Sequence, residues 1–302
     1  MPTSQRRYDP LGGQLVRLSK VLEHAETTDR RGVHRIRVAT RRLRELLPVL
    51  QLDKNTAERV QHRLRKLTRR LGTLRELDVQ LLLVDELHRS GRFSKSGLSD
   101  VRASVERAQA ELRDRLSAKA LASDTRRLAG KLDAVVEELA RRPRGLASRA
   151  SRWVLEARVA RRASVLREAI GEAGAVYLPE RLHEVRIAQK KLRYGLELLM
   201  RASAGHAAAD LRVLKRAQDV LGRLHDLQIL MNQVRRLQGA ISPPTLVSWR
   251  GLDDLLVQLE DECRRLHARY VRVRPKLLEI CARHLSTKAT AGTRASAARK
   301  AG

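Results

Sequence analysis

Apolar residues recur every three or four positions along most of this chain, which is the period of a helix with one buried face. In the segment 30–50, for example, the apolar face consists of Ile36, Leu43, Leu47 and Leu50. Almost no run alternates apolar with polar residues, as a half-buried strand would. The pattern therefore predicts an all-α protein.

The same period places eight long helices. They fall near residues 10–27, 30–50, 56–89 and 98–141 in the first half and near 147–172, 179–202, 207–239 and 245–284 in the second. Asp29 and Pro179 are suited to begin helices, and Pro48 should kink or end one. The last helix of each half is too long to stay unbroken, so we expect breaks at residues 122–124 and at Pro275.

A segment of eleven residues occurs twice. Residues 34–44, HRIRVATRRLR, align with residues 183–193, HEVRIAQKKLR, at an offset of 149 positions. A second block, LGTLRELD at 71–78, aligns with LGRLHDLQ at 221–228 at an offset of 150 positions. Two blocks in the same order at nearly the same offset indicate an internal duplication.

The duplication predicts two four-helix bundles of long antiparallel helices, related by a pseudo-two-fold axis. The first repeat would span about 8–142 and the second about 146–285, with residues 141–145, RRPRG, as the linker. Residues 286–302 have small and basic side chains and no acid, so we expect a disordered basic tail.

Charge narrows the class of partner. Lys and Arg number 63 against 34 Asp and Glu, which gives a net charge of +29. A field of that sign attracts polyanions. Of the basic residues 51 are Arg, whose planar guanidinium pairs bidentately with phosphate oxygens. The composition therefore favours a partner rich in phosphate.

The scarcity of aromatic residues, cysteines and long apolar stretches argues against single-stranded nucleic-acid binders, disulfide-rich proteins and membrane proteins. Only seven residues are aromatic, and single-stranded nucleic acid is usually held by stacking its bases on aromatic rings. Two cysteines cannot form a disulfide framework, and no apolar stretch approaches the roughly eighteen residues of a membrane span. The N-terminus lacks the apolar core of a secretory signal. We therefore expect a cytoplasmic protein whose polyanionic partner has no bases.

The duplicated segment carries a row of positive charge on one helix face. At about 100° per residue, the four spaced residues fall within an arc of about 80° beside the apolar face. The first basic row is His34, Arg37, Arg41 and Arg44, and the second basic row is His183, Arg186, Lys190 and Arg193. The apolar face beside the second row is Val185, Leu192, Leu196 and Leu199. Like charges at this spacing repel one another by about 0.2–0.5 kcal/mol per pair, which indicates that an anion binds there.

The two blocks resemble the CHAD domain, the conserved histidine α-helical domain. Its hallmark is a histidine followed by spaced basic residues in each of two helical repeats. His34 with Arg37, Arg41, Arg42 and Arg44 is similar to the first motif, and His183, Arg186, Lys190, Lys191, Arg193, Tyr194 and Glu197 are similar to the second. The segment 71–78 resembles the stretch that follows, where Glu76 replaces the usual Asp. The resemblance covers about residues 8–285.

The resemblance implies non-enzymatic binding of inorganic polyphosphate in a basic groove or channel between two helical bundles, and location at polyphosphate granules. The implied contacts are the eight residues of the two basic rows. Second-tier contacts are Arg42 and Lys191, which lie off the rows, and Arg65 and Lys215, which align on the third helix of each repeat. From the sequence itself we expect no catalytic residue, no cofactor and no membrane partner, and the sequence specifies no oligomeric state.

Two other functions remain as alternatives. A nucleic-acid-binding protein would use general electrostatics and the basic tail. A hydrolase of polyphosphate or phosphate esters has weaker support, since phosphoryl transfer normally requires a metal or a positioned acid or base and no acidic cluster repeats beside the rows.

Two weaker motifs lead to no prediction of a site. Residues 260–264, EDECR, approximate the Glu-x-Glu-x-Lys strand of a triphosphate-tunnel hydrolase, but they lie in a predicted helix, where residues two apart do not share a face. The spacing of Cys263, His267, Cys281 and His284 resembles a zinc ligand set. Pro275 separates the two pairs, so we expect no metal.

Overall fold

The computed structural model describes residues 10–25, 30–115, 117–141, 146–202, 207–240 and 246–300. Within these ranges the chain forms nine α-helices and one short 3-10 helix, with no strand. The helices are α1 (Pro10–Glu23), α2 (Arg30–Leu46), α3 (Lys54–Ser90), α4 (Lys95–Arg115), α5 (Ala118–Ala140), α6 (Leu146–Ala173), α7 (Pro179–Ala202), α8 (Ala208–Ala240) and α9 (Leu246–Lys300). The predicted all-α class is confirmed. None of these helices is long and apolar enough to cross a membrane.

Several predicted helix ends are confirmed. Helix α2 ends at Leu46 and gives way to the 3-10 helix Leu47–Val49, which contains Pro48. Helix α7 begins at Pro179. Asp29 and the predicted linker residues 142–145 lie outside the described part of the chain.

The helix predicted near 98–141 is two helices, and the expected break at residues 122–124 is wrong. Helix α4 ends at Arg115 and α5 begins at Ala118. The Ser117 hydroxyl caps α5 by accepting a hydrogen bond from the Ala120 N–H at 3.2 Å. Residues 122–124 continue α5, and the Asp124 carboxylate forms an ion pair with Arg70 of α3. A serine N-cap therefore sets the boundary, six residues before Ser123.

The expected interruption at Pro275 is also wrong, because α9 continues through it. A proline inside a helix removes one backbone hydrogen bond and costs about 3 kcal/mol. Tyr270 and Leu277, on either side of it, are both buried, so their packing holds α9 in place across the proline. The helix runs on to Lys300, and residues 286–300 therefore have helical backbone where the sequence predicts disorder.

The chain divides into two compact units that do not follow the two predicted repeats. Unit 1 comprises residues 1–76, 111–156 and 197–206, and unit 2 comprises residues 77–110, 157–196 and 207–302. Helices α3, α4, α6 and α7 each contribute residues to both units. Each unit thus combines segments from both halves of the sequence, and the internal duplication stays a prediction.

Unit 1 has a core of leucine-rich helix faces. The core residues of α1 and α2 are Leu11, Leu15, Leu18, Leu22, Val33, Ile36, Ala39, Leu43 and Leu46. They pack with Leu64, Leu67 and Leu71 of α3 and with Leu128, Leu132 and Val135 of α5. The buried Ser19 joins α1 to α5, since its Oγ donates to Asp133 Oδ1 at 2.9 Å and lies 3.3 Å from the carbonyl oxygen of Ala129.

Unit 2 contains α8 and α9 together with parts of α3, α4, α6 and α7. The buried face of α8 is Leu214, Ala217, Leu221, Leu224, Leu227, Leu230, Met231 and Val234. Two polar contacts reinforce the packing. Arg223 of α8 forms a bidentate ion pair with Glu86 of α3, both contacts at 2.9 Å. Asp210 of α8 accepts from Arg283 at 2.6 Å and lies 2.9 Å from His284 Nε2.

Candidate functional site

The first basic row lies on α2, within unit 1. The apolar residues predicted beside it, Ile36, Leu43, Leu47 and Leu50, are all buried. Arg37 and Arg41 are half-buried, whereas His34 and Arg44 are exposed. The row therefore follows the boundary between the core and the surface.

Arg75 of α3 acts on the first row, although sequence reasoning did not identify it. The pKa of His34 is lowered first by the partial desolvation of its ring and then by the charges of Arg75, Arg41 and Arg37. Arg75 lies in the repeated block 71–78, at the position that aligns with His225 in the second copy. The repeat was the signal that could have revealed it.

Gly72, also on α3, provides space beside Arg37. A Cβ atom at Gly72 would lie 3.6 Å from an Nη atom of Arg37, so the guanidinium reaches across to α3. Within α2, the main-chain carbonyl oxygen of Arg37 accepts a hydrogen bond from the buried Thr40 hydroxyl at 3.0 Å. The guanidinium of Arg37 therefore extends from α2 to α3 within unit 1.

The second basic row lies on α7, within unit 2, and all four of its residues are half-buried. Val185, Leu192 and Leu196 beside it are buried, and Leu199 is partly buried. This row therefore lies deeper in its unit than the first row, whose two end residues are exposed.

Gln218 of α8 and the neighbouring Tyr194 fix the end of the second row. Arg193 Nε donates to Gln218 Oε1 at 2.8 Å, and the guanidinium carbon lies 4.6 Å from the centroid of the Tyr194 ring. A cation over an aromatic face is favourable, and a hydrogen bond from a charged donor is stronger than a neutral one. Arg193 is therefore held in a defined position.

A histidine pair lies at the start of the second row. His183 Nδ1 and His225 Nδ1 of α8 are 3.1 Å apart, and their ring centroids are 4.5 Å apart. Burial, followed by the charge of Arg186, lowers the pKa of both histidines, that of His225 to about 4. The pair lines a cavity of about 30 Å³ with Tyr177, Pro179, Leu182, Leu221, Leu224 and Gln228.

The second-tier residues vary in exposure. Arg42 is half-buried, and Lys191, Arg65 and Lys215 are exposed. The carbonyl oxygen of Lys191 accepts a hydrogen bond from Arg162 of α6 at 2.8 Å. Arg162 therefore adds a guanidinium next to α7 that sequence reasoning missed, because it comes from a helix outside the repeated blocks.

The four residues with zinc-like spacing have other neighbours. Cys263 and Cys281 are buried free thiols, and Cys263 Sγ lies 4.0 Å from Met231 Sδ. His284 contacts Asp210. Over the described ranges, no group of three or more His, Cys, Asp or Glu is placed to hold a metal ion.

The fold and these faces define an all-helical protein with two histidine-led basic helix faces. The chain belongs to the CHAD family, since the family model for the CHAD domain matches residues 14–235, which include both rows. The resemblance seen in the sequence is thereby confirmed.

Two solved structures support the fold. The crystal structure of the CHAD domain from the plant Ricinus communis superposes with a TM-score of 0.61 at 24% identity, covering 89% of this chain and 90% of that one. PptA from Streptomyces chartreusis superposes with a TM-score of 0.55 at 18% identity, covering 92% of this chain and 97% of that one. A search of curated proteins finds no match.

Proposed function

We propose that this protein binds inorganic polyphosphate through the first and second basic rows and catalyses no reaction on it. The observation that carries the proposal is the half-burial of basic side chains along α2 and α7, beside apolar faces. Membership of the CHAD family supports the same ligand, which the resemblance already implied. The proposed location is the cytoplasm, at polyphosphate granules.

The electrostatics of the rows favour a dense linear anion. Burial and then the charges of neighbouring cations lower the pKa of both His34 and His183, so each row holds cations that repel one another. An anion at the row would relieve that repulsion. Polyphosphate supplies one charge after another without bases, which suits a series of guanidinium groups on one helix face.

A nucleic acid is the alternative ligand, and two exposed tryptophans favour it. Trp153 of α6 is 70% exposed and Trp249 of α9 is 44% exposed, so either could stack on a base. Neither lies on α2 or α7, the helices that carry the rows. The family match and the positions of the rows therefore favour polyphosphate.

The absence of catalysis is proposed from the sequence pattern. No acidic cluster repeats beside the basic rows, and phosphoryl transfer normally uses a metal or a positioned acid or base. We expect the pure protein to release no phosphate from polyphosphate. Release that is abolished by His34→Ala would show that the protein is a hydrolase.

A competition titration tests the proposed ligand and its site together. Labelled polyphosphate is displaced by unlabelled polyphosphate, RNA or DNA of equal total charge at moderate salt. The test variant is Arg37→Glu/Arg186→Glu, with one change in each row. The control is Arg126→Glu/Arg236→Glu, which has the same net charge and changes one exposed arginine of α5 and one of α8.

We expect wild type and control to prefer polyphosphate over nucleic acid, and the row variant to lose most of its polyphosphate affinity. Circular dichroism verifies that both variants keep their helical content. Equal binding of the three polyanions by wild type would refute the proposed ligand. Equal polyphosphate affinity of the row variant and the control would refute the assigned site.

A further inference from the structure

The His183–His225 pair has a hydrogen bond that limits its charge. The two Nδ1 atoms lie 3.1 Å apart, so one of them carries a hydrogen and donates a hydrogen bond that the other accepts. A neutral imidazole has one donor and one acceptor nitrogen, and a cationic imidazole has two donors. This hydrogen bond can therefore exist in a neutral pair or in a pair with one extra proton, and not in a doubly charged pair.

The charges that face the pair oppose that extra proton. On α7, Arg186 and Lys190 lower the pKa of both histidines, while Glu184 raises that of His183. Tyr177 lines the cavity, and burial raises its pKa and that of Cys263 on α9. Those two groups therefore stay neutral between pH 5 and pH 8, so an extra proton would be held by the histidines.

Next to Tyr177 lies one more titratable group, His267 of α9. Its ring centroid is 5.3 Å from that of Tyr177, and burial lowers its pKa. The cations that act on the pair are Arg186 and Lys190 of α7. Three carboxylates also act around the cavity, Glu184 on His183 and both Glu180 and Glu260 on Tyr177. Burial is the largest cause of the lowered pKa of both histidines, and the charge of Arg186 is the next. An anion that neutralises Arg186 and Lys190 would remove the part of the lowering that comes from these two cations.

We propose that His225 is a conditional cation of the second basic row. When a phosphate chain lies against Arg186 and Lys190, the His183–His225 pair takes up one proton, and the imidazolium then attracts the chain. The cavity of about 30 Å³ is large enough for a single water molecule that could solvate the charged ring. This inference rests on the proposed binding of polyphosphate.

The first row has a different residue at the aligned position. Arg75 takes the place of His225 and already acts on His34 as a permanent cation. The first row thus has fixed charge from α3, whereas the second has a proton-dependent charge from α8. Polyphosphate binding should therefore strengthen as the pH falls, mainly through the second row.

The test is an NMR pH titration of the full chain with ring-labelled histidine, with and without saturating polyphosphate. We expect polyphosphate to raise the titration midpoint of His225 by about one pH unit or more. The exposed His88 of α3 serves as the reference for general effects of the ligand's charge. If polyphosphate binds but changes the titration midpoint of His225 no more than that of His88, the inference is wrong.

Calorimetry in buffers of different ionisation enthalpy measures the same event as proton uptake. At pH 5.5 we expect wild type and His88→Gln to take up more protons per bound polyphosphate than His225→Gln, since glutamine keeps a hydrogen-bonding group but cannot become a cation. Equal uptake by all three proteins contradicts the inference. If polyphosphate binds to none of the three proteins, the proposed function is wrong. If it binds but the three proteins take up the same number of protons, only the proposed role of His225 is wrong. If His225→Gln does not fold, the wild-type NMR titration decides.

Discussion

At the scale of single residues, the second basic row gains from side chains that hold its cations in place. Gln218 accepts from Arg193 Nε at 2.8 Å, and Tyr194 lies under the same guanidinium. Arginine has high rotamer freedom, and binding an anion normally requires part of it to be lost. A guanidinium already fixed by α8 and α7 loses less entropy on binding.

Replacing Gln218 with alanine should therefore weaken polyphosphate binding without removing a charge. Immobilising one long side chain on binding costs about 0.5–1.5 kcal/mol, so the affinity should fall by roughly two- to tenfold. Asn232→Ala, at an exposed site on the same helix, is the control. The competition titration measures both variants. If they bind equally well, Gln218 does not position Arg193 for the ligand.

The lowered pKa values of His34, His183 and His225 predict a stability that depends on pH in the absence of ligand. The folded-state pKa of each lies below the unfolded value, so the unfolded chain binds more protons between about pH 6.5 and the folded pKa, which is about 4 for His225. The free energy of unfolding should therefore decrease as the pH falls through this window. Thermal denaturation at pH 7 and pH 5 measures the change.

The variant His225→Gln measures how much of this pH-dependent loss of stability comes from the His183–His225 pair. The variant should lose less stability between pH 7 and pH 5 than wild type or His88→Gln, because glutamine does not titrate. Carboxylates contribute equally to all three proteins, so the difference isolates the histidine. An identical decrease in the three melting temperatures would mean that His225 is not kept neutral by the fold.

At the scale of helices, α4 and α9 approach each other within unit 2 through two glycines. A Cβ atom at Gly97 would overlap the carbonyl oxygen of Gly251 and lie 3.1 Å from Leu255 Cβ. A Cβ atom at Gly251 would in turn overlap the Ser96 hydroxyl. The backbones can come this close only because neither residue has a side chain.

Gly97→Ala should destabilise the protein by about 1–3 kcal/mol, the usual cost of overpacking, because the carbonyl of Gly251 cannot move without shifting α9. Gly130→Ala is the matched control. Gly130 lies inside α5 with nothing near its missing Cβ, so alanine there should stabilise the helix by about 0.5–1 kcal/mol. Urea denaturation measures both variants. If both variants change the free energy of unfolding in the same direction, steric overlap does not control the α4–α9 contact.

The helices themselves could be predicted from the sequence, since each buries one face with a regular period. The break before α5 and the continuity at Pro275 could not, because a single serine cap and the packing of α9 decided them. The basic rows were visible in two segments, but Arg75 and Gln218 come from α3 and α8. Closer attention to the second repeated block identifies Arg75, whereas Gln218 lies outside that block and only its contact with Arg193 identifies it.

At the scale of the whole molecule, general attraction and local recognition have separate origins. A net charge of +29 attracts any polyanion, and this attraction weakens as salt screens it. The rows add half-buried cations, one row in each compact unit. Preference for polyphosphate over nucleic acid should therefore depend on the rows, whereas total affinity at low salt depends on all basic residues.

Deleting residues 286–302 separates these two contributions, since the segment has four basic residues and no acidic one. The deletion should weaken binding of polyphosphate and of RNA by similar factors, because it removes only general attraction, and the ratio of the two affinities should stay as in wild type. Arg37→Glu/Arg186→Glu should instead lower that ratio. Competition titrations at two salt concentrations measure both effects. If the deletion removed the preference and the row variant kept it, the terminal segment would be the site of recognition, and the rows on α2 and α7 would be surface charge.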